Sequence, residues 1–163
     1  MELPINLIAI PIAAVAALFI GALWYNPKFG FGITWMRESG MTEERMKSGN
    51  IAIIFGLALI FAAMLSFLLM QFTNHQWGAL SMVGAEPELA EPSFKAFMTD
   101  YGNTFRTYKH GALHGAMFGV LGALPIIGTI ALFERKSVKY IFVNVGYWIV
   151  TLTVMGSILC GLK

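Results

Sequence analysis

The sequence predicts an all-α integral membrane protein. It reads as one domain, residues 1–163, forming a four-transmembrane-helix bundle with an amphipathic interfacial helix in its middle loop. Three observations predict this. First, 57% of the residues are hydrophobic and 12% are charged, whereas a soluble domain carries about 25% charged residues. Second, four apolar stretches cover about 5–24, 51–72, 111–133 and 138–162, and the one charged residue in them is Lys139, at the very start of the fourth. Each matches the roughly 20 residues that carry a helix across a bilayer core. Third, none of them alternates in polarity over the roughly ten residues of a barrel strand. Backbone polar groups in hydrocarbon must be bonded within the protein, so these stretches read as helices.

The same composition excludes several classes. Disorder needs low hydrophobicity and high charge. Nucleic acid is not expected as a partner, because the net charge is only +2 and no Lys/Arg-rich run is present. The single cysteine, Cys160, has no partner for an internal disulfide and reads as a small apolar filler.

The first stretch reads as a retained span. It has no basic residue before it, and Trp24-Tyr25-Asn26-Pro27 is not a small-residue cleavage site. Pro4 and Pro11 lie near its start, where a missing N–H costs least; Pro11 bends the helix if the helix begins as early as Pro4. The loop that follows carries Trp24, Tyr25, Phe29 and Trp35, expected as interfacial anchors around a turn at Asn26-Pro27. Thr42 is the expected N-cap of a short helix ended by Gly49, and Asn50 the expected cap of the second span.

The middle loop, about 73–109, is the one sizeable polar segment. Glu86, Pro87, Glu88, Glu91 and Pro92 read as an acidic turn. Phe94, Phe97, Met98, Tyr101, Phe105 and Tyr108 then recur at helical spacing, predicting an amphipathic helix in the interface with Gly102 as its hinge.

The third span repeats glycine at every fourth position, Gly111, Gly115 and Gly119, a stripe on which another backbone can approach closely. The fourth offers Gly146, Thr153, Ser157 and Gly161 as a facing set of small residues, within one protomer or between copies. Pro125 is expected to kink the third span. His110 and His114 lie four apart on one helix face, a spacing at which two imidazoles can share a metal. His75 follows the second span, on the same side of the membrane, so a His-only site completed by Asp100 or water is one reading; an interhelical hydrogen bond from His114 is the plainer one. Asn144, Tyr147 and Thr151 form a polar stripe on the fourth span, read either as interhelical hydrogen bonds or as a narrow path shared with His110 and His114. Nucleophile triads, phosphate loops and dinucleotide fingerprints are absent from the sequence; it implies no cofactor and no catalytic residue.

Four spans put both termini and the middle loop on one side. The first and third loops hold Lys28, Arg37, Arg45, Lys47, Arg135, Lys136 and Lys139; the other side holds Lys95, Arg106, Lys109 and Lys163. That asymmetry predicts cytoplasmic first and third loops, with the termini and middle loop outside.

Taken in order, Gly21-Ala22-Leu23-Trp24-Tyr25-Asn26-Pro27, Phe29-Gly30, Trp35-Met36 and Gly40-Met41-Thr42-Glu43-Glu44 resemble the opening of the family known as domain of unknown function 1761 (DUF1761). His114-Gly115 resembles its third span. Leu132-Phe133-Glu134-Arg135-Lys136, Asn144-Val145-Gly146-Tyr147-Trp148 and Met155-Gly156 resemble its C-terminal half. The long middle loop and Asn26 before Pro27 look like the Bacteroidota branch. The resemblance implies a four-span protein of the bacterial inner membrane and supplies no activity.

Three functional readings follow, in this order of expectation. The first is a non-enzymatic protein of the lipid bilayer acting through helix packing, as a homo-oligomer or as an accessory subunit of a membrane-protein partner. The second is a small-solute channel or transporter along His110, His114, Asn144, Tyr147 and Thr151. The third is a metal-binding membrane protein using His75, His110 and His114.

Overall fold

The computed structural model describes residues 6–84 and 91–162. Ile5 and Pro4 at the start of the first span, Glu86, Pro87 and Glu88 of the acidic turn, and Lys163 lie outside the described residues. Among the described residues the chain is all helix and loop, with no strand. Helix α1 is Ala9–Trp24, α2 Gly32–Ser39, α3 Glu43–Lys47, α4 Ile51–Thr73, α5 Gln76–Val83 and α6 Pro92–Tyr101. Helix α7, Tyr108–Phe118, continues through a π-helical turn, Gly119–Ala123, into α8, Leu124–Phe133; α9 is Val138–Gly161.

Three of these are long and apolar enough to cross a membrane: Ile51–Thr73, Tyr108–Phe133 and Val138–Gly161. The fourth apolar helix, α1, has 16 residues and is therefore about 24 Å long. Because α1 starts at Ala9, Pro11 falls in its first turn, where the missing N–H has no helical acceptor to lose.

Helix α9 is the hub, packing on α1, α2, α4, α7, the π turn and α8. The core is built mostly from small or flexible side chains. Ala9, Ala13, Ala14 and Ala17 of α1 meet Ala62, Leu69 and Met70 of α4 and Leu152, Met155 and Leu159 of α9. Many large side chains point outward: Phe19, Ile51, Phe61, Met64, Leu121 and Phe142 are all more than half exposed. An apolar exterior of this extent is stable against lipid and a liability in water.

Loop segments are held by local caps. Arg45 N–H donates to the Thr42 hydroxyl (3.2 Å) and starts α3; Ile53 N–H donates to Asn50 Oδ1 (3.2 Å) and starts α4. The aromatic turn after α1 is more than an interfacial anchor. Trp24 Nε1 donates to the Val143 carbonyl (3.0 Å), and Tyr25 Oη donates to Asn144 Oδ1 (3.1 Å), so the turn is bolted to α9. Helix α2, which the sequence pattern does not announce, is tied to the same helix through Ser137 Oγ, which donates to the Glu38 carboxylate.

One expectation changes, and one gains detail. The amphipathic helix α6 stops at Tyr101, so Phe105 and Tyr108 do not continue its face. The chain turns at Gly102–Thr107 because Arg106 leaves the surface to reach the C-terminal end of α9. In the third span a wide turn precedes Pro125. Leu124 N–H bonds to the Gly119 carbonyl, five residues back, just before Pro125. A proline cannot donate to the carbonyl four residues earlier and crowds it, and the wider turn opens the helix at that point.

Candidate functional site: a three-histidine cluster

The site lies where α4 ends, α7 begins and α9 ends. Asn74 closes α4: it is 1% exposed, and its Nδ2 donates to the Leu159 carbonyl of α9 (3.2 Å). This fixes the next residue, His75, beside the start of α7. Gln76 is also buried, and its Nε2 donates to the carbonyls of Tyr101 (3.2 Å) and Thr104 (2.9 Å), pinning the turn between α6 and α7.

In that turn Phe105 adopts φ 62°, a left-handed conformation that side-chain-bearing residues seldom take. The next residue, Arg106, is 3% exposed and caps α9: Nε donates to the Cys160 carbonyl (3.1 Å) and Nη2 to the Leu162 carbonyl (3.4 Å). A cation is favoured at the negative end of a helix; burial opposes the charge and lowers the pKa of Arg106. Cys160 Sγ donates back to the Phe105 carbonyl (3.3 Å). The backbone strain therefore sits in a segment fixed from both sides, and its result is to stack the Phe105 ring on His110, with centroids 5.1 Å apart and planes at 23°.

Thr107 caps α7 by accepting from His110 N–H (3.2 Å). One turn later comes His114. The three imidazoles converge: His110 Nε2 lies 3.0 Å from His75 Nε2, and one ring nitrogen from each of the three lies within 4.8 Å of the others. His75 is exposed; His110 and His114 are half-buried. Asp100 does not join them, and no carboxylate or thiolate completes the group among the described residues.

At 3.0 Å one of the two facing nitrogens donates to the other, so each neutral ring keeps a fixed tautomer. Once that shared proton moves to the far nitrogen of its ring, each imidazole turns one lone pair toward the centre, a set that suits a metal ion. Zn–N bonds of about 2.0–2.1 Å in tetrahedral geometry put ligand nitrogens about 3.3 Å apart, within small ring rotations of the arrangement here.

The remaining residues singled out in the sequence divide into two groups. Gly111 faces the Gly156 carbonyl and Cys160; Gly115 faces the Leu152 carbonyl; and a Cβ on Gly119 would lie 2.7 Å from Ile149 Cα. The stripe is thus filled within one chain. Its partner face on α9 runs through Ile149, Leu152, Gly156 and Cys160. Gly146 faces the Trp24 ring instead, and Ser157 is half-buried outside this contact. Asn144 and Tyr147 lie toward the opposite end of α9. Asn144 Nδ2 donates to the Tyr140 carbonyl (2.8 Å), and Tyr147 Oη donates to the Ala17 carbonyl (3.3 Å). They border a cleft of about 590 Å³ with Tyr25 and Trp35. Thr151 is fully buried one turn further along. From Asn144 to Gly156, which faces the first glycine beside the histidines, is about 18 Å along the helix. His110 and His114 thus lie toward one end of α9 and Asn144 and Tyr147 toward the other, with Thr151 buried between them.

Sequence reasoning did not single out Asn74, Gln76 or the buried role of Arg106, and it read Phe105 only as part of an amphipathic face. No periodic pattern marks these roles, because they rest on long-range hydrogen bonds and one unusual backbone angle.

Fold and site together define a small all-helical protein with membrane-span-like helices and a three-histidine cluster at one end of its helix pack. The chain belongs to the family described as "Protein of unknown function (DUF1761)", whose model matches residues 8–160. No curated protein and no solved structure matches the chain.

Proposed function

We propose that this is a four-crossing membrane protein that binds one transition-metal ion through His75, His110 and His114. The observation that carries the reading is the convergence of the three ring nitrogens within 4.8 Å. Two of these residues share a helix face, and the third is delivered by a separately anchored helix end. Three imidazoles without a carboxylate favour Zn²⁺, Cu²⁺, Ni²⁺ or Co²⁺ over Mg²⁺, Ca²⁺ or Mn²⁺. The glycine stripe is filled within the chain, so the reading needs no second copy.

Support for α1 as a fourth crossing comes from the turn at its start, where Ala9 N–H bonds to the Asn6 carbonyl (3.2 Å) and extends the apolar segment beyond its 16 helical residues. The Lys/Arg asymmetry supports cytoplasmic first and third loops, and the Bacteroidota-like sequence pattern supports a bacterial inner membrane. The histidine cluster then faces outward.

The test is metal stoichiometry on protein purified in detergent with a histidine-free affinity handle. After loading with Zn²⁺ or Co²⁺ and desalting, the expected content is about one ion per chain. His75→Ala, His110→Ala and His114→Ala should each weaken binding at least about tenfold. A wild-type protein that retains no ion, or alanine variants that retain it as well as wild type, would refute the proposal.

A further inference from the structure

We infer that the metal's remaining coordination position takes the carboxylate of a single-chain lipid, whose tail lies in the groove running from His114 between α4 and α7. This rests on the metal reading above. Three protein nitrogens leave a tetrahedral ion one position short, and such a position is where an exogenous ligand binds.

What lies beside that position is apolar. A cavity of about 240 Å³ begins at His114 and is walled by Phe72, Met117, Phe118, Leu121 and Gly122. From His114 to Leu121 it follows the helix for about 10 Å. Phe72 of α4 and Phe118 of α7 pair their rings at 5.2 Å and form part of its wall. Leu121, at the far end, is 71% exposed. No Lys or Arg lines the groove, so nothing in its walls matches a phosphate headgroup. With no cation in the groove wall, the metal at its His114 end is the centre that attracts an anion. The occupant that fits both ends carries an anionic oxygen donor at the histidines and a hydrocarbon tail among the Phe, Met and Leu side chains. A groove of about 240 Å³ accommodates one chain, which points to a fatty-acid-like carboxylate and away from a two-chain phospholipid. At Gly122 the atoms nearest to a Cβ would be those of the Phe118 ring, at an ordinary 3.6 Å, so a larger side chain there enters the groove without a backbone clash among its nearest neighbours.

The experiment uses full-length protein loaded with Co²⁺ in phosphatidylcholine nanodiscs, with the visible Co²⁺ absorption as the reporter. Decanoate and acetate are titrated into wild type and into Gly122→Phe, with Leu121→Trp as a second groove-filling variant should Gly122→Phe not fold. Wild type is expected to respond to decanoate at a concentration at least tenfold lower than to acetate. The filled-groove variants are expected to bind Co²⁺ and answer acetate as wild type does, with most of the decanoate advantage gone. Equal half-saturation by decanoate and acetate in wild type overturns the inference. So does a decanoate advantage of the same size in a filled-groove variant, which would reflect partition into the bilayer alone. A Co²⁺ spectrum that answers neither carboxylate overturns it as well. Absence of any Co²⁺ band marks failure of the metal reading and is thereby distinguished from failure of the lipid ligand.

Discussion

Gly111 and Gly115 bring α7 so close to α9 that a Cβ at either would strike a main-chain carbonyl, of Gly156 or Leu152 respectively. A carbonyl on a helix cannot rotate away as a side-chain tip can. Gly115→Leu is therefore expected to cost at least about 1–3 kcal/mol, the usual range for forcing extra atoms into a packed contact. It should lower the midpoint of unfolding in mixed detergent; an unchanged midpoint would show that the two helices do not meet in this register. Phe105 makes a different kind of prediction. Its φ of 62° strains any residue with a Cβ by about 1–2 kcal/mol, while its ring covers His110. Phe105→Gly should leave stability equal or higher and weaken metal binding; calorimetric unfolding and metal titration on the same sample check both. Loss of stability with unaltered metal affinity would assign Phe105 to packing alone. Half of this site is legible in the sequence. His110 and His114 announce themselves by four-residue spacing. The arrival of His75 depends on Asn74 reaching Leu159, Gln76 holding two carbonyls and Phe105 turning left-handed, and none of these has a periodic signature.

Among elements, the apolar helices are legible because composition over 20 residues decides them, whereas short elements are set by single tertiary contacts. Helix α2 is an example. Ser137 and then Arg37 hydrogen-bond the Glu38 carboxylate and hold its pKa below the usual carboxylate range. A carboxyl whose folded pKa lies below its unfolded value adds stability above the unfolded pKa, and that contribution is lost as pH falls through the folded one. The tie of α2 to α9 should thus be intact at neutral pH and weaken on acidification through the carboxylate range. Glu38→Gln should remove this acid-side loss, and hydrogen exchange of α2 amides against pH would show it. Equal acid sensitivity in the variant would place the titrating group elsewhere. The early end of α6 has a similar origin: burying Arg106 against the carbonyls of Cys160 and Leu162 outweighs extending an exposed amphipathic face.

For the whole molecule, the distribution of size is the informative quantity: alanines with a few Leu and Met inside, Phe and Ile outside. In the arrangement proposed here, α4 runs from a cytoplasmic first loop to an external middle loop, and Cys160 is fully buried and silent to aqueous reagents. Ser81→Cys should therefore react with a membrane-impermeant maleimide on intact cells, and Ser48→Cys only after lysis; the opposite pattern would invert the topology. The histidine cluster gathers the ends of three helices and is the most specific chemistry the fold builds, so it bears most directly on what the protein is for. X-ray absorption spectroscopy of the metal-loaded protein in lipid tests it at the atoms concerned. The prediction is nitrogen or oxygen ligands at about 2.0–2.1 Å, with outer-shell scattering from three imidazole rings. A sulfur ligand at about 2.3 Å, or scattering from fewer than two imidazoles, would contradict it.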